Sequence, residues 1–551
     1  MSSGSQAEPL AENARGRDNF KRQELATMWR IGWPVFVSGI CRLAMVSMDV
    51  LFVGHLPPAS GPHSPVLLEN MPMLGSIPRL GAELVTGRRL EEISTETFMS
   101  AASLSDMCTT VLFVPMMAFG VALNPLVGQA MGSGNKKMAG VWLQLSLLFM
   151  VGIFSLTMVL WMFIEQFLVL VGFPRDVSRL AGLFARISAI WPIPNGVFLC
   201  LRCYFQAMGN SRPAMWAGVI FVGINALLNW TFVYGGPFKY WASIGWGGIG
   251  FIGAAVSMDV SRTMQPFCYW VYMFVWKKAH VDAWPGFTKQ CLQRQNVRAF
   301  AAQACPQVGT LLLQISILQC TTLMVGKLGK LAVAAASAAM WGLAPLAWSI
   351  NFTWSTLTAM RVGYYLGQGD PVKAKRCAWM CITFGMLLSL LLIAVILPLS
   401  PWLMDFMTSA DDVRAVAVRI IPPLIISNMF ALIVQVCTGG IFAAQGRTRF
   451  ATYMSLFFEM PVTLGPVIFL ALYIKPDVHY LYWCQAASNG LETLVVTFIV
   501  RKSDWARFAR EAQERQGMRA RAVSAQEEST DVENKKTPDS NSTVADEATA
   551  A

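Results

Sequence analysis

Charge is what this sequence has least of. Its 551 residues include 43 Lys and Arg, 32 Asp and Glu and only 4 His, so charged side chains make up 14%. Soluble domains average about 25%, and the shortfall excludes an ordinary soluble enzyme. Four scattered histidines exclude a His-rich metal site. Most of the 12 cysteines sit in or beside apolar runs, with neither metal spacing nor a disulfide pattern. Also missing are a Gly-x-Ser-x-Gly elbow, a His-Glu-x-x-His pair and a Walker Lys-Ser/Thr. The chain is therefore read as no enzyme, without cofactor or metal, and without a nucleotide site to drive transport. Residues 1–27 lack an apolar core, so no cleavable signal peptide is expected.

What is present is apolar: 55% of residues are hydrophobic. Val141 to Ile164 is interrupted only by Gln144, and about twenty such residues in a helix cross the ~30 Å of a bilayer's hydrocarbon. Twelve windows read as spans, near 28–53, 100–125, 139–163, 180–206, 213–235, 248–276, 299–325, 331–360, 376–398, 415–443, 450–474 and 479–500. The expected fold is all-α, a polytopic membrane protein embedded in the lipid bilayer. The net charge of +11 resolves on partition. Residues 1–27 hold four basic and four acidic side chains, residues 501–551 nine and ten, so the middle carries +12. That excess sits in connecting loops, with Lys136, Lys137, Lys277, Lys278, Lys373, Lys375 and Arg447 on the side of both tails. Basic loops stay cytoplasmic, which puts both termini there; the positive charge reports topology, and no nucleic-acid partner is expected.

Three patterns occur twice. Pro34 precedes Val53-Gly54 as Pro306 precedes Val325-Gly326. Gly128, Gly132 and Gly134 are matched by Gly363, Gly367 and Gly369. Gly209 and Arg212 are matched by Gly446 and Arg449. The offsets are 272, 235 and 237. The unit is six helices duplicated in parallel, an arrangement that places a transport site near the midplane between halves. The implied segments are a tail at 1–27, a first bundle at 28–276 with an extracytoplasmic Pro-rich insertion at about 57–97, and a basic linker at 277–298. A second bundle at 299–500 and a tail at 501–551 follow. The start of that tail reads as a basic interfacial helix and its distal part as disordered.

The segments Phe52-Val53-Gly54-His55-Leu56, Ala122-Leu123, Leu126-Val127-Gly128-Gln129 with Gly132, Arg361-Val362-Gly363 with Leu366, Gly367 and Gly369, and Gly440, Ala444 and Gly446 resemble the multidrug and toxic compound extrusion (MATE) family, in its eukaryotic branch. The resemblance runs from about residue 25 to 500. It implies two six-helix bundles around a V-shaped cavity and secondary antiport of organic solutes against H⁺ or Na⁺. The two glutamates usual in the seventh helix of eukaryotic members are here Gln314 and Gln319, which cannot carry a proton. The second-helix acid is Asn124, and the fifth-helix acid of prokaryotic members is Asn229, near Asn225. Asp49 occupies the place of the prokaryotic first-helix aspartate.

Charges within a membrane helix are costly and usually paired or functional. Asp49 and Arg42, seven residues apart, are the first candidates for coupling or substrate binding, as a competing acid and base or as a structural pair. Asp106 joins Asp49 or faces outer water. Asp259 and Arg262 are spaced to pair on one face. Glu459 is the deep acid of the second half, with a packing role as the alternative. Trp341, Trp348, Asn351 and Trp354 form a stripe that lines a cavity for flat cations or packs in the core. Arg361 reads as structural or gating. The expected function is export of a small organic solute, cationic in charge, by a monomeric antiporter. It would lie in the plasma membrane or an internal, vacuolar-type one. A lipid or oligosaccharide flippase of the same superfamily and a sensor that has lost transport are the alternatives.

Overall fold

The computed structural model describes residues 7–54, 95–235, 249–407, 411–474 and 477–517, and every regular element among them is a helix. Most of the 57–97 insertion and the distal tail lie outside the described residues. The first half comprises α1 (Ala7–Gly54), α2 (Thr95–Gly132), α3 (Lys136–Met162), the short α4 (Ile164–Val171), α5 (Arg175–Ile187), α6 (Pro192–Ala207), α7 (Arg212–Tyr234) and α8 (Phe251–Trp270, prolonged by a π turn to Trp276). The second comprises α9 (Arg294–Lys327), α10 (Lys330–Gly367), α11 (Pro371–Met407), α12 (Asp411–Gln445), α13 (Thr448–Ile474) and α14 (Val478–Lys502), followed by α15 (Trp505–Arg515).

Each of the twelve expected spans falls on these helices. Seven described helices are long and apolar enough to cross a membrane, and α5 with α6 makes an eighth, bent by 56° where Pro192 and Pro194 enter. Helix is the form such runs must take, because hydrocarbon offers backbone groups no partner outside the segment. One boundary differs from the sequence reading. α1 begins at Ala7, so the polar residues before 28 continue the first membrane helix and carry Glu24 into the packed interior, where it is 2% exposed.

The repeat is visible in packing. α1 lies on α7 as α9 lies on α13, and α2 lies on α3 as α10 lies on α11. The paired turn glycines also share a conformation: φ is +76° at both Gly134 and Gly369, and +88° and +80° at Gly209 and Gly446. Side chains rarely adopt that region, which is why glycine recurs there.

The halves meet most extensively where α2 crosses α10. A Cβ on Gly128 would lie 2.6 Å from the Met360 carbonyl oxygen, and one on Gly363 would lie 2.9 Å from that of Pro125. Gly132 faces the Tyr364 carbonyl and Gly367 the Gln129 carbonyl more closely still. The contacts are reciprocal, because Met360 and Tyr364 are Pro125 and Gln129 moved on by the 235 offset. Lipid is as apolar as Leu, so membrane helices associate through close backbone approach rather than hydrophobic burial. The Gly-x-x-x-Gly spacing on each helix is what permits this approach.

The linker is held by Gln144, the one amide side chain of the α3 run. Gln144 donates from Nε2 to the Gly286 carbonyl at 2.6 Å and accepts from the Thr288 amide at 3.4 Å. The α15 helix differs from expectation. Its apolar face does not lie on lipid: Trp505, Phe508, Ala509 and Ala512 are buried against the second half.

Gly367→Ala should lower the unfolding free energy in detergent by about 1–3 kcal/mol, because a backbone carbonyl cannot swing aside. Gly152→Ala, a helical site with open space around it, should be neutral or stabilising by up to about 1 kcal/mol. Equal melting temperatures for the two variants would refute the crossing as a tight constraint.

Candidate functional site

Three arginines gather in the first half, Arg202 and Arg262 buried and Arg42 half-buried. Arg42 (α1) stands over the Phe352 ring of α10 at 5.5 Å, and Arg202 (α6) stands 6.0 Å from the same ring. Arg262 (α8) stacks on Trp191 at 4.4 Å. Arg42 lies within electrostatic range of the other two. Arg262 also lies near Asp106 and Asp259. Asp259 accepts a hydrogen bond from the Trp191 amide at 3.1 Å, and Arg262 stacks on the ring of the same Trp191.

Of the expected Arg42–Asp49 pair, only the Arg42 side chain is described. The Arg42 guanidinium is held by an aromatic face of the opposite half, while the Asp49 side chain lies outside the described residues. Asp106 is half-buried on α2. Asn225 and Asn229 are fully buried and form a ladder between α7 and α8: Asn225 donates to Ser261 at 3.0 Å, and Ser257 donates to Asn229 at 2.7 Å. Gln314 and Gln319 are half-buried on α9.

The aromatic stripe of α10 does not form a wall. Trp348 is half exposed, Asn351 donates to Asn428 of α12 at 2.9 Å, and Trp354 donates to the Cys381 carbonyl at 2.8 Å. Two of its members therefore pack within the second half, and Trp341's side chain lies outside the described residues.

The second half has an acidic counterpart to the arginines. Glu459 sits in the π turn Phe458–Leu464 of α13, beside Pro461. Its neighbour is Glu492 of α14, which is 3% exposed. Each carboxylate keeps one buried oxygen without a hydrogen-bond partner. Neither Arg202 nor Glu492 was among the candidates from sequence, because a lone charge in an apolar run carries no sign of what faces it.

At the end bearing the described termini, polar bonds cross between halves. Arg361 of α10 grips Glu24 of α1 with two bonds of 2.6 Å, and Tyr365 donates to the same carboxylate at 2.6 Å. Gln129 of α2 donates to the Ala444 carbonyl of α12 at 2.7 Å. Gln516, just after α15, accepts from Trp142 at 3.1 Å on its side chain and from Asn135 at 3.0 Å on its carbonyl. Arg515 donates to the Gln445 carbonyl at 3.0 Å. Gly128, Gly132, Gly363 and Gly367 lie in this layer, with Gly134, Gly209, Gly369 and Gly446 turning the chain around it. Arg361 thus ties α10 of the second half to α1 of the first. A cavity of about 700 Å³ opens on this end, lined by Arg294, Arg298, Gln303, Gly446, Glu511 and Arg515. It touches neither buried charge group.

Twelve helices in two repeated halves, with buried charge between and beside them, define an integral multi-pass membrane transporter. The MatE family model matches residues 91–231 and 306–464, and the chain belongs to that family. An uncharacterized transporter of Schizosaccharomyces pombe is 29% identical over 357 residues, 64% of this chain and 63% of that protein, just under two thirds of its length. Multidrug and toxin extrusion protein 1 of Xenopus tropicalis is 24% identical over 415 residues, covering 74% of this chain and 69% of that one. The crystal structure of the eukaryotic MATE transporter AtDTX14 superposes with a TM-score of 0.74 at 19% identity, covering 90% of this chain and 99% of that one. These relatives are transporters, not enzymes.

Removing one partner of a buried ion pair leaves the other uncompensated. Arg361→Met alone should therefore cost about 3–5 kcal/mol, and Arg361→Met with Glu24→Leu distinctly less. A double-mutant cycle on thermal unfolding measures the coupling; additive losses would show that the contact contributes nothing.

Proposed function

We propose that the protein exports organic solutes by cation-coupled antiport, access alternating between its two halves, with both termini in the cytoplasm of a plasma or internal membrane. The observation that carries this reading is the Glu459–Glu492 pair. Two neighbouring carboxylates in a low-dielectric interior repel each other and lack a basic partner among the described residues. A proton or a metal cation joining them removes that cost. Such a site loads and unloads an ion as access changes, and it restores to the second half the acid that Gln314 and Gln319 lack. The π turn that carries Glu459 loosens the helix where a carboxylate has to change partners.

The names of the relatives support an organic solute, and the basic loops support the orientation. The cationic charge first expected of the solute has no such support. It rested on Asp49 and on the α10 stripe, whereas the described charges nearest the centre of the first half are guanidinium groups.

The test uses the full chain in liposomes loaded with rhodamine 123 or with fluorescein, under an imposed pH gradient and then a Na⁺ gradient. One gradient should drive efflux of at least one dye. Glu459→Gln and Glu492→Gln should each slow that efflux by about tenfold or more, a loss of ~1.4 kcal/mol, while dye binding persists. Undiminished gradient-driven efflux in both variants would remove the pair from the coupling role. Absence of any gradient-driven flux would favour a sensor.

A further inference from the structure

Among the described residues, the Arg42 and Arg202 guanidinium groups of the first half have unmet hydrogen-bonding capacity. Arg202 is 2% exposed, yet its Nε and one terminal nitrogen have no hydrogen-bond partner. The Nε of Arg42 is likewise unpartnered. Among the described residues, no carboxylate faces either group; their neighbours are each other, Arg262, Cys203, Tyr269 and the Phe352 ring. Asn124 is fully buried on α2, with neither its amide nitrogen nor its oxygen bonded. The Cys203 thiol lies beside Arg202, Arg42 and Asn124 together, which makes these one cluster. The Tyr269 hydroxyl, next to Arg202, is also unbonded.

A buried unpaired donor costs about 1–3 kcal/mol, more when charged. An aromatic face repays part of that for a cation but supplies no acceptor. Two guanidinium groups, an amide and a phenol, converging from α1, α2, α6 and α8, lack the same thing: an anion. The donors suit a planar or tetrahedral oxyanion, since guanidinium binds carboxylate and phosphate through paired N–H groups. Phe352 reaches the cluster from the other half. A ligand bound there would touch both halves.

We propose that Arg42, Arg202 and Asn124 form an anion-binding subsite for a carboxylate, phosphate or sulfonate group of the transported molecule, with Phe352 flanking its apolar part. The proposal rests on the transport reading above and gives its solute a negative charge. The same chemistry serves a free organic anion or an anionic lipid headgroup, so the test separates them.

Equilibrium binding needs no gradient, so its outcome is independent of coupling. The full chain in phosphatidylcholine nanodiscs is titrated with fluorescein, an anion, and with rhodamine 123, a cation on the same xanthene core, read by fluorescence anisotropy. Fluorescein should bind, and Arg202→Gln and Arg42→Gln should each weaken it by about tenfold or more, the scale of a lost charge-assisted hydrogen bond. Asn124→Asp keeps the shape and adds the missing charge. It should abolish fluorescein binding and raise the melting temperature of the unliganded protein, a readout that holds even if the arginine variants fold poorly. Nanodiscs containing phosphatidic acid should leave fluorescein affinity unchanged for a free solute and compete with it for a lipid substrate; either result supports the subsite. Binding of rhodamine alone, or fluorescein affinity indifferent to all three substitutions, would overturn it. So would an Asn124→Asp variant that melts lower and binds fluorescein as before.

Discussion

The structure hangs on the place where α2 and α10 touch through their backbones. Four glycines, two from each half, let Pro125 and Gln129 meet Gly363 and Gly367 while Met360 and Tyr364 meet Gly128 and Gly132. Because the contacts are exchanged by the 235 offset, one local solution appears twice around a single axis, and both halves are positioned by it. A methyl group on any of these glycines would push two six-helix bodies apart. Polar bonds around the crossing also tie the two halves together. Glu24 with Arg361, and Gln129 with Ala444, supply these. An arrangement that is tight when closed and joined by a few breakable bonds suits the alternating access proposed above.

Symmetry fixes the backbone but not the charge. Arg42 follows Pro34 by eight residues, and its counterpart eight after Pro306 is Gln314. The first half thus has a guanidinium where the second has a neutral amide. Conversely, Glu459 and Glu492 lie in the second half, far from the arginines of the first. Burying either group alone is unfavourable. Had the chain been selected for stability only, apolar residues of similar volume would serve better in both places. Separate sites of opposite sign, unneutralised among the described residues, suit the distinct solute and ion sites proposed above, each completed by its cargo.

The spans and the crossing were legible in sequence because both leave periodic traces: long apolar runs, and glycines repeated at a constant offset. The partners of buried charges leave none. Glu24 sits in a stretch that reads as a polar tail, and Arg361 lies 337 residues away. Arg202 and Glu492 interrupt apolar runs without any nearby residue to suggest what they face. The stripe of α10 shows the converse failure. Its spacing is real, yet Asn351 and Trp354 spend their hydrogen bonds inside the second half, and spacing alone does not say which neighbour a face receives. The same limit applies to α15, whose basic, apolar-striped sequence suits lipid equally well.

That α15 rests on protein has a mechanical consequence. Gln516 is bonded to Asn135 and Trp142 of the first half, and Arg515 to Gln445 of the second, while the Phe508 ring takes the Arg447 guanidinium at 5.4 Å. Both also reach the buried oxygen of Gln129, each at 3.4 Å. The helix therefore spans the seam that the glycine crossing closes. Its apolar face belongs to the second half, and only the polar residues at its end hold the first. If the halves part at this end as proposed above, the smaller loss is to release Gln516 and Arg515 from the first half and move α15 with the second, since burial of Trp505 and Phe508 is then kept. Helix α15 is in this way anchored on the second half and tied to the first by Gln516 and Arg515.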